Sequence, residues 1–491
     1  MRRSGVLLHV SSLASPYGIG TFGKSAYEFV DFLVKSKQTL WQILPLGPTS
    51  FGDSPYQTFS AFANNPYFID LDLLVKDKLL KRNEIISSEV SSNKVSYGNL
   101  YNDRFMVLKA AFNRFVADDK YYEYVENNSF WLEDYALFMA IKADYKGISW
   151  MYWDEDIRLR REYAINSYKE KLEKEIKFYK FLEYKAYEQW SNLKNYANKN
   201  NIDIIGDMPI YVSYDSADVW ANPKFFDLTE KGLPRSVAGV PPDYFSEDGQ
   251  LWGNPLYNWK VLKEHEYSFW VNRIKQALIM YDYIRIDHFI GFSRFYAVPY
   301  GDINAVNGVW HEGPGIDLFK LIHEKLDNVN IIAEDLGVVT KEVQKFIDKT
   351  NYPTMKVMQF AFDSDETNQF LPHNHKVNSV VYTGTHDNPT TVGWLKTIDK
   401  NSLKFSLNYL NVKYKKDLLN AILKETHKSV SMMSIVPIQD YLELDNNARM
   451  NMPSTTGNNW VWRLRPNELN YKLARKIKNL TNPYERNVSI D

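Results

Sequence analysis

Eight short apolar runs recur along the chain, each ending in polar residues: 5–10, 40–46, 202–212, 283–289, 329–336, 355–362, 377–383 and 433–438. Most are continuously apolar rather than alternating, which suits strands covered on both faces. Segments of helical period lie between them. In 25–35 the apolar positions are Ala26, Phe29, Val30, Leu33 and Val34, and 270–281 keeps a similar period. Residues 317–325 and 340–349 also read as helices. Strand–helix alternation repeated eight times predicts an α/β chain closed into a parallel (β/α)8 TIM barrel. Periodicity alone leaves a doubly wound sheet as the alternative.

The spacing is uneven. About 150 residues separate the second run from the third, too many for a structureless loop. Within them Leu172, Ile176, Tyr179, Leu182, Ala186 and Trp190 trace one face of a long charged helix, expected to end near 198–201. The predicted organisation is a discontinuous barrel, 1–70 and 200–480, with a mainly helical insertion, 71–199, between strands two and three. A second insertion, 213–260, follows strand three. Its stretch 218–260 is rich in Pro, Gly, Asn and Trp and reads as a large ordered loop over the barrel mouth.

Composition narrows the chemistry. The 491 residues carry 59 basic and 60 acidic side chains, a formal charge of -1. No net field favours nucleic acid or an anionic membrane, so a neutral ligand is expected. With no cysteine, disulfides, thiolate metal sites and cysteine nucleophiles are excluded, and a cytoplasmic location is expected. Met1-Arg2-Arg3 before Gly5–Val10 faintly resembles a signal peptide, but the apolar run is short of the ~7–15 residues required and contains His9. It reads as a buried first strand. No apolar run reaches the ~18 residues that span a bilayer.

Two motifs are misleading. Gly18-Ile-Gly-Thr-Phe-Gly23-Lys24-Ser25 matches the phosphate-loop pattern, yet that loop must follow its strand at once, and Ser11–Tyr17 intervene. A glycine-rich turn into the first barrel helix is the expectation. His373-Asn-His375 has the spacing of barrel metal ligands but lies in a polar loop between strands. No metal and no cofactor are expected.

Three acidic residues stand at the C-terminal ends of apolar runs: Asp287 after the fourth, Glu334 after the fifth, and Asp387 beyond the seventh. In a barrel these ends converge on one face, where the active site lies. Clustered carboxylates without metal ligands suit acetal chemistry, which needs a proton donor and a carboxylate facing the anomeric carbon. Arg285, two positions before Asp287, points the same way along its strand and is expected to hold Asp287 ionised. Glu334, as the acid, needs surroundings that raise its pKa.

Arg285-Ile-Asp287-His288, Glu334-Asp-Leu-Gly337 and Thr385-His386-Asp387-Asn388 resemble the catalytic regions of the amylomaltases, 4-α-glucanotransferases of the α-amylase clan. Pro16–Gly20, Trp41–Gly47, Ser54-Pro-Tyr-Gln57, Gly206–Val212, Gly239–Phe245, Gly249–Pro255, Arg449-Met-Asn451 and Asn459–Arg463 resemble further family segments. The resemblance implies that Asp287 is the nucleophile, Glu334 the general acid/base, and Asp387 the group that holds donor hydroxyls. It places Arg285, His288, His386 and Asp207 around the cleaved bond, and Tyr56 against the donor glucose. Asp243 and Trp252 are placed on a loop that guides the glucan; Ser54 and Asn458 are additional substrate-binding candidates. The implied ligands are maltooligosaccharides and α-1,4-glucans, with glucose as an acceptor. An α-glucan hydrolase using the same carboxylates is the alternative. Two positions depart from the family pattern: Asn64, where a small residue is expected, and Ser454, where Gly is commoner.

Overall fold

The structure, a computed structural model, describes residues 2–85, 93–242, 247–455 and 457–486. Among these are twelve strands: β1 (Arg3–Leu7), β2 (Leu40–Gln42), β3 (Asp203–Met208), β4 (Ser236–Val240), β5 (Gln250–Pro255), β6 (Tyr283–Ile286), β7 (Arg294–Pro299), β8 (Val309–Glu312), β9 (Ile331–Ala333), β10 (Thr354–Val357), β11 (Ser379–Tyr382) and β12 (Met433–Pro437). Eight of them, one from each apolar run, close into a parallel barrel ordered β1-β12-β11-β10-β9-β6-β3-β2. This excludes the doubly wound alternative. The reason is visible in the runs: Val6, Leu40, Ile204, Ile284, Ile332, Val380 and Ile435 are all wholly buried. Helices Lys24–Lys35, Ser268–Met280, Ile316–Lys325 and Lys341–Thr350 lie within a residue or two of the helical periods in the sequence.

Between β2 and β3 the chain is mostly helical, and its longest element is Glu173–Lys199. That helix is tied to the barrel by specific contacts. Trp190 is wholly buried and its indole donates to the Met280 carbonyl at 2.9 Å. Glu183, also buried, accepts the Asn64 N–H at 2.9 Å. Asn64 therefore does what a smaller residue could not, since its side-chain amide reaches the same carboxylate oxygen at 3.4 Å. Ser454, the other departure, adopts a left-handed φ of 61° that glycine takes without strain.

The stretch after β3 differs from the loop the sequence suggested. β4 and β5 pair antiparallel and join β7 and β8 in a separate four-stranded sheet, ordered β5-β4-β7-β8. Prolines and glycines obscure the strand pattern there, and the partner strand β7 comes from the far side of β6.

Both misleading motifs resolve into local structure. A Cβ on Gly23 would lie 2.0 Å from the Asp70 carboxylate, so an acid occupies the start of the first barrel helix where a phosphate would sit. Asp70 also accepts the Thr21 hydroxyl at 2.6 Å. His375 is buried, with Nδ1 2.8 Å from the Ser429 hydroxyl and Nε2 2.8 Å from the Phe370 carbonyl. His373 is exposed and meets Tyr409 instead. Among the described residues no cluster of His, Asp and Glu could hold a metal, and no helix is long and apolar enough to cross a membrane.

Candidate active site

The register of β3 against β6 sets Asp207 directly opposite Arg285. Both side chains face inward, and Arg285 Nη1 lies 2.7 Å from each Asp207 oxygen. Arg285 Nη2 reaches Asp287 Oδ1 at 3.0 Å, as the two-residue spacing predicted. Burial alone would loosen the guanidinium proton, but the two carboxylates reverse this and hold Arg285 firmly charged. The three groups form a gradient of exposure: Asp207 is sealed, Arg285 is 4% exposed, and the Asp287 side chain is 29% exposed. A charged line thus rises from the barrel interior and ends in one accessible carboxylate.

Glu334 sits beside it. The end of β6 is bonded to both neighbours: the Asp287 N–H donates to Met208 O at 2.9 Å, and the Glu334 N–H donates to Ile286 O at 3.1 Å. The Glu334 carboxyl accepts the His288 N–H at 2.7 Å on Oε2 and the Leu336 N–H at 2.7 Å on Oε1. His288 makes its bond from a left-handed φ of 49°, a conformation uncommon outside glycine and found at functional turns. Burial, then repulsion from Asp287, pushes the Glu334 pKa up to about 8, against the opposing pull of Arg285 and the two N–H donors. Burial also lowers His288 to about 4, so its imidazole is neutral at pH 7.

Asp387 follows β11 on a turn, with its side chain 42% exposed. It lies 3.3 Å from His386 Nε2 and accepts the Asn451 side-chain amide at 2.6 Å. Desolvation opposes its charge, yet His386 and Asn451 outweigh this and lower it to about 2. Burial would pull His386 down, but Asp387 raises it above the ordinary histidine value. Arg449 donates to the Asp387 carbonyl at 2.5 Å, fixing the turn itself. Tyr56 links the two halves of the site. Its hydroxyl donates to Asp207 at 2.9 Å, and its ring stacks on His386 with centroids 5.0 Å apart.

The remaining sequence candidates are distributed differently. Trp252, on β5 and half-buried, stands edge-on to the His288 ring at 4.8 Å, and its indole donates to Gln250 at 3.1 Å. Ser54 accepts the Tyr56 N–H at 3.2 Å and so shapes the turn that carries Tyr56. Asn458 is exposed, with a left-handed φ of 57°, and joins none of these contacts. Asp243 lies outside the described residues. Asn451, Arg449 and Trp460 had no assigned role in the sequence reading. Trp460 packs 5.7 Å from Tyr56 and 5.9 Å from His386. The only signal for Asn451 and Arg449 was the Arg449-Met-Asn451 segment, which has no periodicity and is remote in the chain.

The chain is 48% identical to a 4-alpha-glucanotransferase of Clostridium butyricum over 485 residues, covering 98% of this chain and all of that protein. It is 43% identical to the 4-alpha-glucanotransferase of Thermus thermophilus, covering 99% of each. Its fold superposes on an amylomaltase from Streptococcus agalactiae, solved in complex with acarbose, with a TM-score of 0.95 and 41% identity, covering 99% of this chain and all of that one. The profile of the 4-alpha-glucanotransferases matches residues 8–470. The chain belongs to that family, glycoside hydrolase family 77.

Proposed function

We propose that this chain is a retaining 4-α-glucanotransferase that moves α-1,4-glucan segments from a donor maltooligosaccharide to the 4-hydroxyl of an acceptor glucan or glucose. The observation that carries the reading is the pairing of an accessible carboxylate held by Arg285 with a buried Glu334 whose pKa is raised. Two carboxyls in unlike surroundings divide the labour of acetal cleavage. Protonated Glu334 gives its proton to the glycosidic oxygen as Asp287 attacks the anomeric carbon and the C–O bond breaks. The reducing-end fragment leaves, and the glycosyl group is held as an ester of Asp287. Glu334, now a carboxylate, takes the proton of the acceptor 4-hydroxyl. That oxygen attacks the same carbon and expels Asp287. Two inversions retain the α configuration.

Asp387, with its exposed oxygen, is assigned to hydrogen-bond donor hydroxyls. Tyr56, His288, His386 and Arg285 line the sugar at the cleaved bond, and Asp207 fixes Arg285. Trp252 is assigned to the acceptor side, where its bulk keeps water from the ester and favours transfer. Ser54, Asn458 and Asp243 are assigned to more distant sugar units. The absence of cysteine supports a cytoplasmic setting.

Maltotriose tests the proposal. Transfer produces glucose together with oligosaccharides longer than the substrate; a product set containing only shorter sugars would establish the hydrolase instead. In the Asp287→Asn variant glucose release should fall below about one thousandth of the wild-type rate, a loss of the kind seen when a nucleophile is removed. Undiminished release would refute the nucleophile assignment.

A further inference from the structure

On the flank of the barrel, remote in sequence from the carboxylates, three helices leave a groove of about 560 Å³, within the ~300–1,000 Å³ of ligand sites. Each helix contributes one face. Lys120, Glu123, Tyr124 and Asn127 follow the three–four spacing along helix Asp119–Asn127. Tyr184, Tyr187, Glu188, Ser191 and Asn192 do so along Glu173–Lys199. Asn272, Lys275, Gln276 and Ile279 do so along Ser268–Met280. Facing stripes at this spacing usually carry Leu or Ile and close on one another. Here they carry amides, a hydroxyl and tyrosines; the tyrosines of the first two helices meet, and open space remains beside them.

The chemistry of the walls selects a ligand. Two lysines face two glutamates, so the groove offers no net charge to an ionic partner. Asn127, Ser191, Asn192 and Asn272 make no side-chain hydrogen bond to other described residues, which leaves their donors and acceptors for a guest. Tyr187 is half-buried against Tyr124, ring centroids 4.8 Å apart, and forms a rigid aromatic wall. Uncommitted amides beside an aromatic wall match a neutral polyhydroxylated chain, whose hydroxyls take the amides and whose C–H faces take the ring. Cavities that share wall residues lie between the groove and Asp207. The groove shares Phe130 and Asn272 with a cavity of about 230 Å³, floored by Phe62 and Trp131 stacked at 5.9 Å. That cavity shares Ser60 and Phe62 with a smaller one bounded by Tyr56 and Asp207.

We propose that this groove is a second, non-catalytic binding site for a linear α-1,4-glucan, holding long chains to the enzyme while their ends react. The proposal rests on the glucanotransferase reading above. Two variants test it: Asn127→Leu/Asn192→Leu, which keeps the heavy-atom count and branching of two exposed side chains while removing their polar atoms, and Tyr187→Ala, which removes the ring. Both are measured with maltotriose and with amylose, and by electrophoretic retardation in gels containing amylose. Expected are an unchanged kcat/KM on maltotriose, a KM on amylose raised at least about fivefold, and weaker retardation, fivefold being the effect of a single lost contact. Unchanged amylose KM and retardation in the folded variants would overturn the proposal, as would an equal loss on both substrates. Should Tyr187→Ala not fold, the asparagine pair decides alone. Failure of the wild-type chain to disproportionate maltotriose would instead refute the catalytic reading, and retardation by amylose would still report on the groove.

Discussion

Replacing Asp207 by asparagine isolates the charge at the base of the site. The side chain is sealed, and both of its oxygens lie 2.7 Å from Arg285 Nη1. Asparagine has nearly the same shape, so packing is preserved, while the negative charge and one acceptor oxygen are lost. Arg285, 4% exposed, is then left with Asp287 at 3.0 Å, a partner open to water on its outer side. Removing one member of a buried pair costs about 3–5 kcal/mol, because the other is stranded. The surviving contact to Asp287 offsets part of this, so the lower end of that range is expected. Unfolding entropy for 491 residues is about 1 kcal/mol per kelvin, at roughly 2.1 cal/mol/K per residue, so the melting temperature should fall by about 3 °C. Turnover should fall further. Without Asp207 the guanidinium is drawn outward onto Asp287, and a shift of about 1 Å in a reacting group costs about a hundredfold. Calorimetry and maltotriose kinetics on the same preparation measure both. An Asp207→Asn protein that melts within about 1 °C of wild type, and turns over normally, would show that the Arg285–Asp207 contact neither stabilises the barrel nor positions Asp287.

Other consequences follow from neighbouring contacts. In the proposed mechanism Glu334 begins the cycle protonated, so transfer should decline as pH rises through about 8; a kcat profile on maltotriose that stays flat past pH 9 would contradict this. The same shift affects stability. The folded-state pKa lies above the unfolded one, so the folded state retains the proton and stability is lost as pH rises from about 4 toward 8. The melting temperature of Glu334→Gln should therefore rise relative to wild type between pH 4 and pH 8. Asn451→Ala removes a 2.6 Å bond to the Asp387 carboxylate, worth about 1.5–3 kcal/mol, and should lower kcat/KM on maltotriose about ten- to a hundredfold with little change in melting temperature. Gly206→Ala should destabilise the barrel by about 1–3 kcal/mol, because the added Cβ would meet the Tyr281 ring at 2.2 Å; a melting temperature equal to wild type would show that the ring can move aside.

The strands were legible because burial on both faces leaves a direct trace: a short, largely apolar run with few polar positions. That trace also overshoots. The third run continues to Val212, whereas β3 stops at Met208, since Pro209 has no N–H to extend the ladder. Ile210, Tyr211 and Val212 remain apolar because they are buried beyond the strand. The four-stranded sheet escaped because β4 is followed by Pro241-Pro242 and β5 is preceded by Gly249, so punctuation outweighs pattern over segments this short. The site divides along the same line. Asp287 and Glu334 could be found because each ends an apolar run, and the Arg285–Asp287 contact because it spans two residues of one strand. The Arg285–Asp207 contact depends on how β3 is slid against β6, and the Asn451–Asp387 contact on where a loop from the far end of the chain comes to rest. Neither has a local signature, since register and loop docking are set by the whole barrel. Sequence therefore locates the carboxylates, while the partners that give each one its protonation state emerge only when the sheet closes.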